Sequence, residues 1–353
     1  MKILLITTLY PGYKNQSEIQ ATYAVHYFAN EWAKKSALEV IRLWAYYPNI
    51  FECFKKARRV NKYAYEEKFM IDNVNVTRIP IPKIPKVNYR NRDIKLVSKQ
   101  IIAKFKKENY PDIIICDILN PSIYVGEFVA KEFNSILVAS LHNSDIFYLS
   151  DRKNYERYKK ADKNVDKIVF RSPKIEEEFL KIYDGTKRKN DYFTILFGID
   201  KKDIIDKKKL QNKIIKAKKE IMVASSLKKL KKINILIDAF AKIKNRNGYV
   251  LRIIGDGPER TRLEKQVNDL GIQDWVYFEG KKTRAEVLKY MEESNIFAMV
   301  SSPETFGLVY VEAMAKGCIT IASKGEGIDG VIVNNKNGFL CNPDDIEGLK
   351  IVL

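Results

Sequence analysis

The sequence predicts an α/β protein made of two doubly wound parallel sheets. Two observations lead there, and a third bounds the answer. Short apolar runs alternate with stretches of helical spacing along the whole chain, the rhythm of β-α-β crossovers. That rhythm is interrupted by a lysine-dense, aromatic-poor segment, Lys201–Lys219, and restarts at Glu220. The chain has 353 residues, 46% of them hydrophobic and 30% charged, which suits two soluble globular domains with large cores. No repeat at a solenoid period appears. The expected division is 1–200, a linker over 201–219, and 220–353.

In the first domain, Lys2–Thr8 is an apolar strand, and its Ile3–Ile6 run is too short for a signal peptide. Thr22–Lys35, with Tyr23, Val25, Tyr27, Phe28 and Trp32, reads as a helix. Val40–Trp44 is a strand. Asn91–Lys107 sets Ile94, Val97, Ile101, Ile102 and Phe105 on one helical face and cations on the other. Ile113–Cys116, Ile136–Leu141 and Lys167–Phe170 are further strands, and a helix follows from Pro173. Ligands of such sheets bind at the carboxyl ends of the strands. His142 stands at one, with Asp145 near, which raises it above an ordinary structural histidine.

The second domain opens with the strand Glu220–Ala224 and a helix over Ile233–Ile243. Val250–Ile254 is a strand that runs into Gly255-Asp256-Gly257-Pro258. Pro258 suits a first helical position, with Leu263, Val267 and Leu270 continuing to Gly271. Asp256 reads as a turn or helix-start residue rather than a catalyst. Trp275–Phe278, Asn295–Val300 and Ile319–Ala322 are strands.

Cys53, Cys116, Cys318 and Cys341 are far apart, which points to free thiols and a reducing cytoplasm. With two histidines, a histidine-rich metal site is excluded, and no stretch is long enough to span a membrane. A net charge of +19 has three readings: a basic surface without a partner, nucleic acid, or an anionic membrane. The cationic stretch from Lys83 through Lys95 and Lys99 to Lys106 and Lys107 places the membrane reading on the first domain.

The chemistry gathers in Ser301–Gly317. Pro303 and Gly307 force a loop, and helical spacing begins near Phe306 and ends at Gly317 in a left-handed cap position. Glu304 falls in the loop and Glu312 in the helix. The amides of Phe306, Gly307 and Leu308 open that helix toward an anion. Each carboxylate can hold a vicinal diol. A sugar nucleotide needs this pattern: ribose diol, diphosphate, hexose diol.

Glu304 and Glu312 enclose seven residues in the frame Ser-x-x-Glu-x-Phe-Gly-Leu-x-x-x-Glu-Ala-Met-Ala-x-Gly. This resembles the Glu-x7-Glu signature of retaining glycosyltransferases of family 4 (glycosyl transferases group 1), which have the GT-B fold. The resemblance implies two facing Rossmann-like domains with the active site between them. It implies hexose transfer from a nucleotide sugar, expected to be a UDP sugar, to a saccharide or lipid-linked saccharide acceptor, without metal or cofactor. Glu312 would bind the ribose and Glu304 the hexose. Lys231 falls on the family's diphosphate-binding lysine, Ser226 on its arginine and Lys232 on its glycine. Gly255 belongs to a Gly-Asp-Gly-Pro that the family shares. His142 resembles the histidine facing the donor sugar, and Gly12 lies in the acceptor-side loop. Phe197 replaces an asparagine at the domain junction. Family members continue with further helices beyond the position of Leu353, so the chain reads as cut short. A GT-B sugar phosphorylase or nucleotide-sugar epimerase is the alternative, and a non-catalytic nucleic-acid-binding protein ranks below both, so the reading commits to no nucleic-acid partner.

Overall fold

A computed structural model describes residues 1–16, 23–105, 109–185, 189–216 and 218–353. The expected strands all form, their ends displaced by a few residues at most. The chain divides into one compact unit of Met1–Arg171 with Ile175–Ile195, and another of Ser172–Lys174 with Leu196–Leu353.

In the first unit β1 (Lys2–Thr7), α1 (Ala24–Ala33) and β2 (Ala37–Tyr46) lead to α2 (Lys55–Asn61) and a hairpin of β3 (Glu67–Ile71) and β4 (Val74–Pro82). Then come α3 (Asn91–Ile102), β5 (Ile113–Asp117), α4 (Leu119–Phe133), β6 (Ile136–Leu141), α5 (Asn143–Leu149) and α6 (Arg152–Asp162). β7 (Lys167–Phe170), α7 (Pro173–Ile182) and β8 (Tyr192–Thr194) close it. The sheet order is β3-β4-β2-β1-β5-β6-β7-β8, parallel except for β3 against β4. The winding reverses between β1 and β5, where Thr7 lies opposite Asp117. One face of this sheet is covered by α3, α4, α6 and α7, whose buried Ile94, Val129, Tyr158 and Phe179 share one core. The other face carries α1 through Val25 and Ala29.

In the second unit the order is α8 (Lys207–Lys216), β9 (Lys218–Ala224), α9 (Ile233–Ala241), β10 (Val250–Ile254), α10 (Arg260–Asp269) and β11 (Val276–Gly280). α11 (Arg284–Glu293), β12 (Ser294–Ala298), α12 (Leu308–Ala315), β13 (Ile319–Ser323), β14 (Phe339–Cys341) and α13 (Ile346–Val352) follow. The sheet is parallel in the order β11-β10-β9-β12-β13-β14. Its winding reverses between β9 and β12, where a doubly wound sheet opens a crevice for ligand. Phe240 and Phe297 have no exposed surface. Burying each such ring contributes about 1.5–3 kcal/mol.

Several expectations change. The segment expected as a linker packs on the second unit. Lys213 of α8 is buried and donates to the carbonyls of Met291 (2.7 Å) and Lys316 (2.8 Å). The Ile205 amide donates to the Ala315 carbonyl. Lysine density there marks a docked helix in which the Lys213 ammonium is buried, because its carbonyl partners come from distant turns. Pro258 is not a first helical residue. The Glu259 amide is drawn to the Leu227 carbonyl, and α10 begins only at Arg260. α12 starts at Leu308, since Gly307 is left-handed (φ 76°) and cannot extend the helix. α3 ends at Ile102. Lys106 and Lys107, expected on it, and Thr22, expected to open α1, lie outside the described residues. Cys116, Cys318 and Cys341 are buried and Cys53 exposed, all as free thiols. Among the described residues no helix is long and apolar enough to cross a membrane.

Candidate active site

Two loops meet at the reversal of the second sheet. One leaves β9 and runs through Ser226 to Lys231; the other leaves β12 and carries Glu304. The Ser302 amide donates to the Leu230 carbonyl (2.9 Å) and ties them together. Lys231 Nζ lies 2.6 Å from Glu304 Oε2, and Ser301 Oγ donates to the same oxygen at 2.9 Å. Both side chains are mostly enclosed, at 18% and 13% exposure, so the charges face each other in a partly dried recess.

The Glu304 loop is fixed from behind by Glu326, which lies after β13 and is 5% exposed. Glu326 accepts from Ser302 Oγ (2.7 Å) and from the Glu304 amide (2.8 Å). Gly327 lies so close to the Thr305 carbonyl that a Cβ there would meet it at 1.7 Å. Phe306 is buried and packs against Phe197, with ring centroids 5.6 Å apart. The replacement of the expected asparagine by Phe197 is therefore an apolar substitution matched to Phe306. Gly307 caps α12, a Cβ there would strike the Tyr310 ring at 2.3 Å, and Leu308 is the first helical residue.

Glu312 sits in the second turn of α12, buried, with Oε1 accepting from Arg284 Nε at 2.7 Å. Arg284 Nη2 continues to Asp203 at 2.8 Å. The lysine cluster divides. Lys232 adopts the left-handed conformation (φ 48°) that a glycine would take at this position, and its Nζ reaches both oxygens of Asp344 at 2.6 Å. Ser226, Lys228 and Lys229 are exposed on the β9 loop.

Gly255 has a backbone reason for its identity. Its φ is 133°, and a Cβ would overlap the Ser225 carbonyl oxygen at 1.7 Å. The β9 and β10 loops are bonded backbone to backbone through Ser225–Ile254 and Leu227–Asp256. Gly255 thus shapes the loop that carries Ser226 and Lys231. The Asp256 carboxylate accepts from the Gly257 amide, as a turn residue does.

In the first unit His142 follows β6, sits at the N-cap of α5 and is 7% exposed. Its Nε2 is 2.8 Å from Asp117 Oδ1. Asp117, at the end of β5, also receives Thr7 Oγ1 (3.1 Å), Ser140 Oγ (3.0 Å) and Arg171 Nη2 (3.4 Å). Burial alone would raise this carboxyl, but His142, Arg171 and Ser140 hold it well below the usual range. Asp145 accepts from the His142 amide (2.8 Å) and the Leu119 amide (2.9 Å). Burial outweighs those bonds and pushes its carboxyl up to about 6. Gly12 belongs to a different cluster. A Cβ there would strike Trp44 at 2.2 Å, and its carbonyl accepts from the buried Arg78 at 2.6 Å.

Lys231 and Glu304 are therefore in contact, with Phe306, Gly307 and Leu308 on the same loop and helix start. Glu312 is held by a separate arginine. His142 and Gly12 lie in the other unit, each in its own cluster. Sequence reasoning missed Asp117, Arg171, Asp203, Arg284 and Glu326. Arg284 had a legible sign in Thr283-Arg284-Ala285-Glu286, a capping box that forms as the pattern promises. Asp117 ends an apolar run with a charge. Among the described residues no group of three or more His, Cys, Asp or Glu is placed to hold a metal.

Residues 204–351 match the family model of glycosyl transferases group 1. The chain is 28% identical over 286 residues to the N-acetyl-alpha-D-glucosaminyl L-malate synthase of Bacillus anthracis, covering 78% of this chain and 73% of that one. It is 25% identical over 254 residues to the lipopolysaccharide core biosynthesis glycosyltransferase LpsE of Rhizobium meliloti, covering 70% and 72%. Among solved structures, Anabaena HepE in complex with UDP and glucose superposes with a TM-score of 0.67 at 20% identity, over 100% of this chain and 88% of that one. The sucrose-phosphate synthase of Thermosynechococcus elongatus gives 0.74 at 18%, over 99% and 88%. With Lys231 and Glu304 together at the reversal of the matched unit's sheet, the chain has the GT-B fold, and its residues 204–351 resemble the group 1 glycosyl transferases.

Proposed function

We propose that the protein transfers a hexose from a UDP sugar to a hydroxyl of a saccharide or lipid-linked saccharide, with retention at the anomeric carbon and without a metal. The observation that carries this reading is the Lys231–Glu304 pair at the reversal of the second sheet. Lys231 and the amides opening α12 would meet the diphosphate, Glu304 the hexose hydroxyls and Glu312 the ribose. Ser226 and the Gly255 loop would line the diphosphate, and His142 the sugar. As the glycosidic bond breaks, negative charge grows on the leaving diphosphate, and fixed cations and amides there stabilise the transition state. The UDP of the HepE complex supports the choice of nucleotide, and the lipopolysaccharide relative supports an acceptor in cell-surface glycan assembly. The test is turnover of a UDP-sugar panel by chelator-treated protein, with the anomeric configuration of the product read by NMR. Retained configuration without added metal is expected; inversion, or strict dependence on a divalent ion, overturns the reading.

The first unit adds a docking face for such an acceptor. A cavity of about 810 Å³ is lined by Ile94, Tyr124 and Phe128, by the cations Lys95, Arg152, Lys153, Arg157 and Lys160, and by the carboxylates Glu127, Asp151 and Glu156. Arg157 lies over the Tyr124 ring at 4.2 Å and donates to the Tyr89 carbonyl, a fixed cation in the wall. Apolar residues beside five cations and three carboxylates leave a net positive lining, which suits the surface of an anionic bilayer on the cytoplasmic side. Co-sedimentation with anionic but not neutral vesicles is expected, and equal binding to both contradicts it.

A further inference from the structure

The glutamate assigned to the ribose does not stand alone. Glu312 Oε1 accepts from Arg284 Nε at 2.7 Å, and Arg284 Nη2 donates to Asp203 Oδ2 at 2.8 Å. All three are enclosed, with side-chain exposures of 10%, 22% and 13% for Glu312, Arg284 and Asp203. Arg284 is the first residue of α11, and that helix start is pinned. The Thr283 hydroxyl accepts from the Glu286 amide (3.3 Å), and Glu286 Oε2 accepts from the Thr283 amide (2.7 Å). The guanidinium therefore leaves a fixed backbone point, is neutralised on one side by Asp203, and presents its Nε to one oxygen of Glu312. A planar fork held at two nitrogens constrains its partner more than a lysine would.

We propose that Arg284 is a positioning residue for nucleotide recognition: it fixes the Glu312 carboxylate in the orientation that accepts the two ribose hydroxyls of the donor. This rests on the assignment of Glu312 to the ribose. A carboxylate has about four lone-pair directions. The bond from an Arg284 anchored on Asp203 occupies one of them and restricts rotation of the carboxylate. Without that bond the carboxylate of a half-turned side chain can rotate, and a diol meets a scattered acceptor rather than a fixed one. The arrangement also connects the site to Asp203, on the short turn Lys201–Asp203 that precedes α8.

The test measures the affinity of UDP and of 2′,3′-dideoxy-UDP by calorimetry for the unmodified protein, Arg284→Gln, Arg284→Lys and Asp203→Asn. The quantity read is the ratio of the two affinities, which a general loss of packing would not change. The unmodified protein is expected to prefer UDP by about 10–100-fold, the scale of hydrogen bonds to a charged group. Arg284→Gln should weaken UDP by about tenfold, leave the dideoxy compound unchanged, and so collapse the ratio. Arg284→Lys should recover part of it, because a lysine supplies the charge but cannot hold two carboxylates in one plane. Asp203→Asn leaves Arg284 in place and should give an intermediate ratio, which keeps the test open if Arg284→Gln does not fold. No preference for UDP in the unmodified protein removes the ribose assignment itself. A clear preference that Arg284→Gln leaves intact refutes the positioning role. Tighter UDP binding by Arg284→Gln would show that Arg284 competes with the ribose, which also refutes it.

Discussion

Lys231→Ala separates what the Lys231–Glu304 pair does for the fold from what it does for the reaction. The pair is 2.6 Å apart, with exposures of 18% and 13%, between a surface ion pair and a fully buried one. Exposed pairs contribute about 0–1 kcal/mol, and breaking a buried one costs about 3–5 kcal/mol. The intermediate burial puts the stability loss at about 1–3 kcal/mol, because Glu304 keeps its bond from Ser301 and can still reach water. The catalytic loss should be larger. Removing a preorganised donor at a developing charge costs about 2–4 kcal/mol, or roughly 30- to 1000-fold in kcat/KM. The structure also narrows which second cation replaces the arginine missing at Ser226. Lys232 is turned to Asp344, so Lys228 or Lys229 remains. Loss of one of these two should cost nearly as much as loss of Lys231, and Ser226→Arg should rescue that loss but not Lys231→Ala. The assay is kcat/KM for each variant with and without Ser226→Arg, beside chemical denaturation. The control is Lys231→Ala combined with Glu304→Gln, which removes both charges and should recover stability without recovering activity. If stability and activity recover together, Lys231 only neutralises Glu304. If Lys228, Lys229 and Lys232 are all silent, the compensation by a second lysine is refuted.

Glu312→Gln should mainly weaken UDP binding, and Glu304→Gln should mainly lower kcat; calorimetry and steady-state kinetics check both, and a variant unchanged in both measures removes its residue from the site. His142→Ala should leave UDP affinity intact, lower transfer, and cost about 1 kcal/mol of stability, the scale of one hydrogen bond, because Asp117 Oδ1 keeps its bonds from Ser140 and Arg171. If kcat stays normal well below the unfolding temperature, His142 serves the fold alone. Asp145 gives a pH signature. Its folded pKa of about 6 lies above its unfolded value near 3.8, so the folded state holds the proton more tightly. Its contribution is present below pH 3.8 and lost as pH rises through 6, about 3 kcal/mol in all. Denaturant midpoints of the unmodified protein and Asp145→Asn across pH 3.5–6.5 check this; the difference between them should grow toward low pH, and parallel curves contradict it.

The sheets were legible because buried parallel strands carry continuous apolar runs, as in Ile3–Ile6 and Ile113–Ile115. The strand order was not, since which strand neighbours which depends on crossovers. The Glu304 loop was legible because Pro303, Gly307 and Gly317 punctuate it locally. The clamp on Glu312 was not. Asp203, Arg284 and Glu312 are separated by up to 109 positions in the chain and meet only when α11 docks beside α12. The same holds for Asp117, whose partners Thr7, His142 and Arg171 come from three other strand ends. Lys201–Lys219 misled for a different reason. Its composition suggests solvation, and the buried Lys213 is distinguishable from its neighbours only by the carbonyls it reaches.

The most direct test of the central claim is thermal unfolding in the presence of nucleoside diphosphates and their sugars, with the unmodified protein and Glu312→Gln side by side. A ligand that binds only the native state raises stability by about 2.7 kcal/mol at one hundred times its dissociation constant. The account predicts a concentration-dependent rise with UDP and with at least one UDP hexose in the unmodified protein, and a rise displaced to much higher UDP concentration in Glu312→Gln. No rise with any nucleotide or nucleotide sugar, or identical curves for the two proteins, would contradict it.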